Sequence, residues 1–396
     1  MDDSIADQKA FLATNPDGSS KFNAMYELGL AQVEKEAWAD VIAIFGKLLA
    51  DDSDSSRADR YHYELAWAHQ GLNQPVNALE HFAVIAEQFP GSPLAPESNF
   101  HLGTAAYQND EFPAAIAAYE KCVSAGETDN GAKEGTNLVR EKAFYKLGWA
   151  HYKQKQYEDA YQKFAQQVET FPEGELFADG VFMVAESQFR QKNYEAALAA
   201  YLAAKPDVDD SDSVDPNIKL LTMLHGSQSA NKTRKWDAAL QLVTPLTTGD
   251  VDTSFQYDAW LEIGTANEGL GKTEEAMTAW GKAKLSNSPT GARAACMIGD
   301  VLFKQKKLDD AISEFKLVFY RFGSADTSDD IKPWVAYALY EAARCSLVQV
   351  ADAPAEKKAG LVSEALKQFE LLIANYPADR LAPEAQKQIE KLKQLQ

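Results

Sequence analysis

The sequence predicts an all-α protein, an α-solenoid of about nine helix–turn–helix repeats closed by a C-terminal capping helix. Three observations carry this. A small residue is followed four positions later by a large one at nine places: Val41/Phe45, Ala78/Phe82, Ala115/Tyr119, Ala160/Phe164, Ala197/Tyr201, Ala239/Val243, Ala276/Trp280, Ala311/Phe315 and Ala365/Phe369. Successive small residues lie 37, 37, 45, 37, 42, 37, 35 and 54 positions apart, a register that marks stacked repeats. No period-two alternation is long enough for a sheet. A chain of 396 residues is also too long for one ordinary core, and a repeat stack lets the core grow lengthwise.

Each unit carries a second small site about twelve residues upstream, preceded by an aliphatic: Leu28-Gly29, Leu65-Ala66, Leu102-Gly103, Leu147-Gly148, Ile263-Gly264 and Ile298-Gly299. Two antiparallel helices per unit, meeting at the small residues with the aromatic filling the next layer, account for this spacing. Proline ends the second helix in three units, at Phe89-Pro90, Phe171-Pro172 and Tyr376-Pro377. The expected boundaries are an N-terminal tail over 1–20, repeats one to five over 21–205, an acidic loop or joint over 206–217, repeats six to nine over 218–380, and the cap over 381–396. The long spacings place loops at 124–137, 205–216, 322–333 and 350–360.

The net charge of −20, from 39 Lys and Arg against 59 Asp and Glu, repels phosphate backbones and anionic lipid, so nucleic acid is not an expected partner. No run approaches the roughly 20 apolar residues of a spanning helix, so no direct membrane insertion is expected. Cys122, Cys296 and Cys345 lie far apart without zinc-type spacing. The first residues, MDDSIADQKAFLATNP, carry acids where a secretion signal is basic, which leaves a cytoplasmic protein or one whose signal is absent from this sequence.

No chemistry-bearing motif survives its context. Ala266 to Thr273 passes a permissive phosphate-loop pattern, but a helix rather than a strand precedes it; Gly271 reads as the turn between paired helices and Thr273 as an N-cap. His62 and His69, seven apart, show no third metal ligand. The acid runs Asp51–Asp54 and Asp207–Asp215 lack calcium-loop spacing. The chain is expected to be no enzyme and to hold no cofactor and no metal.

The repeat pattern resembles the tetratricopeptide-repeat family, whose signature is W-x2-L-G-x2-Y, then A-x3-F, then P. Matching residues are Trp260, Ile263, Gly264, Gly271, Ala276 and Trp280 in one unit, and Phe144, Leu147, Gly148, Tyr157, Ala160, Phe164 and Pro172 in another. A narrower likeness, in FPGSPLAPES and YPADRLAPEA, is to bacterial periplasmic and outer-membrane-associated members, and it implies a periplasmic location, with a cytoplasmic one as the alternative.

The first helices of the early units carry a stripe: Tyr26, Tyr63, Trp67, Phe100, Tyr107, Tyr145, Trp149, Tyr152, Phe182 and Phe189, flanked by Lys142, Lys146 and Lys153. These lie off the positions expected to pack within a unit. The resemblance implies that they line a concave groove that binds a partner peptide or helix, with the lysines suited to an acidic residue on it. The alternative function is an envelope structural or assembly factor acting through its outer surface and loops.

Overall fold

The computed structural model describes residues 2–14, 16, 18–52, 55–124, 134–212, 214–248, 251–324 and 326–394. Among them are 20 α-helices and no strand. The chain divides into two compact units, Met1–Gln191 with Ser211–Ser213, and Lys192–Asp210 with Val214–Gln396.

The first unit holds α1 (Asp2–Ala13), α2 (Gly18–Val33), α3 (Trp38–Asp51), α4 (Ala58–Gly71), α5 (Pro75–Gln88), α6 (Ala95–Gln108), α7 (Phe112–Ser124), α8 (Glu134–Lys153), α9 (Tyr157–Thr170) and α10 (Phe177–Arg190). The second holds α11 (Tyr194–Asp210), α12 (Pro216–Lys232), α13 (Trp236–Val243), α14 (Thr253–Gly269), α15 (Thr273–Ala283), α16 (Pro289–Lys304), α17 (Leu308–Phe322), α18 (Lys332–Asp352), α19 (Ala355–Asn375) and α20 (Ala382–Gln394). Within each unit every helix packs on its neighbours in sequence. First helices of consecutive pairs also touch, as α6 does α8 and α16 does α18.

The paired helices meet differently from the expected contact between small residues. The glycine of the first helix seats the aromatic ring of the second. A Cβ built on Gly29 would fall 2.6 Å from the Phe45 ring, on Gly103 2.8 Å from Tyr119, on Gly148 2.7 Å from Phe164, and on Gly299 2.7 Å from Phe315. All four rings are buried, each worth about 1.5–3 kcal/mol of transfer free energy. The physical reason is reach: a ring four residues past the small site is long enough to span to the facing backbone of its own pair.

A turn recurs with the repeat. Glu36, Asn73, Asp110, Lys155, Lys192, Arg234, Gly271 and Lys306 all have positive φ, each five residues before the small residue of the second helix. The residue after it donates its N–H to a carbonyl five residues back, as Gln74 does to His69 (2.8 Å), Gln156 to His151 (3.0 Å) and Lys272 to Asn267 (2.8 Å). This left-handed cap closes the first helix and reverses the chain. At the phosphate-loop match it places Gly271, at φ 77°, in that turn; Lys272 rather than Thr273 is the N-cap of α15, without a side-chain capping bond.

The aromatic–proline breaks stop α5, α9 and α19 at Gln88, Thr170 and Asn375. Three expectations are corrected, the first being the loop at 350–360, which is helical except at 353–354 because α18 runs to Asp352 and α19 starts at Ala355. The N-terminal tail contains α1, which packs on α2 with Ile5 buried, because its apolar residues find a neighbouring helix to cover them. The acidic segment at 206–217 is loop only in part: α11 continues through Pro206 to Asp210, held by buried Ala204 and Val208. Asp215 then caps α12, accepting from the Asn217 N–H at 2.8 Å. Of the expected loop at 124–137, residues 125–133 lie outside the described residues, as do Ser53 and Asp54 of the first acid run. The C-terminal helix α20 buries Ala382, Ala385 and Ile389 against α19 and turns its lysines outward.

Candidate binding face

All thirteen sequence-predicted site residues fall in the first unit, on α2, α4, α6, α8 and α10. The structure groups some of them and removes others. On α4, Tyr63 and Trp67 stand edge to face at 6.1 Å. Trp67 meets Phe82 at 6.2 Å and His101 of α6 at 5.2 Å, and His101 stacks on Phe82 at 4.5 Å. Tyr63 Oη donates to Glu97 Oε2 of α6 at 2.9 Å. Burial raises the Glu97 carboxyl, but the His101 imidazole 3.9 Å away and the hydrogen bond from Tyr63 outweigh it and hold the group below its ordinary range.

The second group sits on α8. Tyr145, Trp149 and Tyr152 form a continuous aromatic run, with centroids 6.3 and 5.4 Å apart. Tyr145 and Trp149 both rest on Phe164 of α9, at 5.7 and 6.4 Å. Tyr152 Oη donates to Glu186 Oε1 of α10 at 3.0 Å, and Arg190 Nε reaches both atoms, at 2.8 and 2.7 Å. The Tyr63–Glu97 and Tyr152–Glu186 bonds span the same 34 residues, so one repeat-to-repeat latch is used twice. Burial and the neighbouring carboxylates push both tyrosine hydroxyls well above their usual range, which keeps them donors at any physiological pH.

The three lysines are all on α8. Lys146 Nζ lies 5.6 Å from the Tyr107 ring of α6, and Lys153 Nζ lies 5.9 Å from the Trp149 ring; Lys142 is half-buried. Burial lowers the Lys146 ammonium from its ordinary value. Among the described residues, none of the three is ion-paired with a carboxylate, despite the acidity of the chain. Tyr107 itself packs on Phe112 at 5.4 Å.

The stripe is therefore not free of packing, contrary to expectation, because a ring on one helix is wide enough to touch both the paired helix and the outside. Tyr26 is buried between Phe45 and Tyr61 with the Arg57 guanidinium over it, and Phe182 is buried; neither offers a surface. Phe100 is half-buried against Tyr119, and Phe189 is half-buried with Arg190 over its ring. What remains together is Tyr63 with Trp67 on α4, and Tyr107, Tyr145, Lys146, Trp149, Tyr152 and Lys153 across α6 and α8. Sequence reasoning missed Glu97, His101, Glu186 and Arg190; comparing each stripe tyrosine with the acid one repeat later would have found the two glutamates.

Elsewhere, His81 of α5 stands beside His62 and His69, a third ring that the spacing alone did not show. Among the described residues no group of three His, Cys, Asp or Glu could hold a metal ion, and no helix is long and apolar enough to cross a membrane. The three cysteines are buried and unpaired.

Comparison with known proteins agrees with the repeat. The tetratricopeptide repeat model matches residues 63–130 and 145–213. None of the curated proteins compared matches the chain. Among solved structures, a tetratricopeptide repeat protein from Parabacteroides merdae is 15% identical, covering 72% of this chain and 100% of its own at a TM-score of 0.41. The C-terminal part of a repeat-containing protein from Cytophaga hutchinsonii is 12% identical, covering 72% and 98% at 0.49. A Pseudomonas aeruginosa protein, pilF, is 16% identical, covering 57% and 90% at 0.36. Tetratricopeptide repeats generally mediate protein–protein interaction, and the family is generally one of non-enzymatic scaffolds. The family match lies on helix pairs that share one turn, with the glycine seat at Gly103 and Gly148, so over residues 63–130 and 145–213 the chain carries tetratricopeptide repeats.

Proposed function

We propose that the chain is a scaffold that captures a peptide or helix of another protein on the face formed by α4, α6 and α8. The observation that carries this is the half-buried aromatic run Tyr145, Trp149 and Tyr152 beside Lys146 and Lys153, cations that no carboxylate of the described structure neutralises. Rigid aromatic rings supply contact area at low entropic cost, and unpaired ammonium groups favour a partner segment with an acidic residue. The narrower sequence likeness supports a periplasmic location for this scaffold, with a cytoplasmic one as the alternative.

A second reading, an assembly factor acting through its outer surface, draws on Tyr320 and Leu285 of the second unit, which are 76% and 64% exposed. Arg321 joins these segments by donating to the Leu285 carbonyl at 2.7 Å. Affinity capture with the wild type, the Trp67→Ala/Trp149→Ala variant and the Leu285→Ala/Tyr320→Ala variant separates the two. A partner lost only with the tryptophan pair supports the first reading. A partner lost only with the outer pair replaces it by the second.

A further inference from the structure

Three imidazoles from two helices meet in the second repeat. His62 and His69 are on α4 and His81 is on α5. His62 Nδ1 and His81 Nδ1 are 2.9 Å apart, the His69 and His81 rings stack at 5.5 Å and 17°, and His69 Nδ1 contacts Gln74 Oε1 at 2.7 Å in the connecting turn. A nitrogen pair at that distance is a hydrogen bond with one shared proton: one ring donates, the other accepts. The bond exists only while at least one ring is neutral.

Among the described residues no carboxylate is paired with His62 or His81, the exposed Glu80 and Glu87 of α5 included. The α4–α5 pair packs on α3 and α6. At the end of α3, Asp52 accepts from Tyr61. On α6, Glu97 and His101 turn to Tyr63 and to Phe82. On α4 itself, Asp59 accepts from Ser92, and burial pushes the Glu64 carboxyl upward, towards its neutral form. Among the described residues no carboxylate accepts from a ring nitrogen of His62 or His81. Phe89 closes one side, 6.5 Å from His62. The stacked third ring has its Nδ1 committed to Gln74, and among the described residues no group of three His, Cys, Asp or Glu is placed to hold a metal ion.

We propose that His62, His69 and His81 form an acid-sensitive latch: neutral, it joins α4 to α5; doubly protonated, it loosens the second repeat and with it Tyr63 and Trp67. Burial, then His62 and His69, lower the His81 imidazole to about 4, and burial lowers His62. A depressed folded-state value gives stability that is fully present above the unfolded value near 6.5 and is lost as pH falls through the folded value. The window is therefore roughly pH 6.5 down to 4. Its consequence for partner capture rests on the function proposed above, but the latch itself is tested on the free protein, so the two ideas fail separately.

The experiment is hydrogen exchange of the whole chain between pH 7.5 and 5, corrected for intrinsic rates, comparing residues 58–88 with residues 253–283 as an internal reference. In the wild type, protection over 58–88 should fall about tenfold or more relative to the reference. In His81→Phe, which keeps the ring and removes the proton site, the fall should be much smaller, with only the His62 contribution left. Loss of protection equal in both segments, or unchanged by His81→Phe, overturns the proposal. Should His81→Phe fail to fold, proton resonances of the wild-type imidazoles decide: His81 neutral down to pH 5 supports the latch, and His62 and His81 both titrating near 6.5 refutes it.

Discussion

The glycine seat makes a prediction in which one substitution has opposite signs at two sites. A Cβ on Gly264 would lie 2.3 Å from Trp280 Cδ1 and 2.4 Å from its Nε1. Ordinary contact needs more than an ångström of extra room, and Trp280 is fully buried with its Nε1 donating to the Leu261 carbonyl at 3.2 Å. Moving the ring costs about 1–3 kcal/mol of overpacking, and losing that buried bond costs about another 1 kcal/mol. Replacing a mid-helix glycine by alanine returns about 1 kcal/mol of helix propensity. Gly264→Ala should therefore destabilise the second unit by about 2 kcal/mol. Gly46, inside α3, has nothing within 4 Å of its built Cβ, so Gly46→Ala gains the propensity alone and should stabilise by about 0.5–1 kcal/mol. Urea unfolding followed by circular dichroism measures both. Two shifts of the same sign would refute the glycine-seat account.

Other consequences follow from particular residues. Lys155 holds the left-handed turn at φ 61°, so Lys155→Gly should raise stability by about 0.5 kcal/mol, the strain relieved less the added chain entropy, read as a small rise in urea midpoint. Ala160→Leu and Ala276→Leu, both fully buried, should each cost about 1–3 kcal/mol by overpacking; unchanged midpoints would mean that the helix pairing is misassigned. The Glu341 carboxyl is pushed up to about 7, by burial first, with Arg344 opposing and Asp300 adding to it. A raised folded value favours folding fully below the ordinary 4.5 and loses that contribution as pH rises through 7. Glu341→Gln should accordingly stabilise the second unit by about 1–2 kcal/mol at pH 8 in thermal melts, with the difference shrinking towards zero below pH 4.5.

The repeat was legible because packing imposes it directly: a buried small residue and a ring four positions on are chemically distinctive, and their spacing repeats. The turn was not legible, since its left-handed position holds Glu36, Lys155, Lys192, Arg234 and Lys306, side chains that carry no turn signal. Only Gly271, Asn73 and Asp110 are residue types that favour this conformation. The cap is recognised by backbone geometry, which tolerates these residues because five of them point polar ends to water. The candidate face was half legible. Helical spacing put Tyr63, Trp67, Tyr145, Trp149 and Tyr152 on one side of their helices, but a helical projection has no depth, so it could not separate buried Tyr26 and Phe182 from the rest. Contacts across repeats, such as Tyr152 to Glu186 and Arg190, depend on the stacking offset, which no single helix encodes.

The claim that capture occurs on the first-helix face is tested most directly by hydrogen exchange of the chain with and without its captured partner. Protection should appear on α4, α6 and α8, centred on residues 145–153, and should be reduced when Lys142, Lys146 and Lys153 are replaced by Glu. Protection confined to the second helices α5, α7 and α9, or to the second unit, would contradict it.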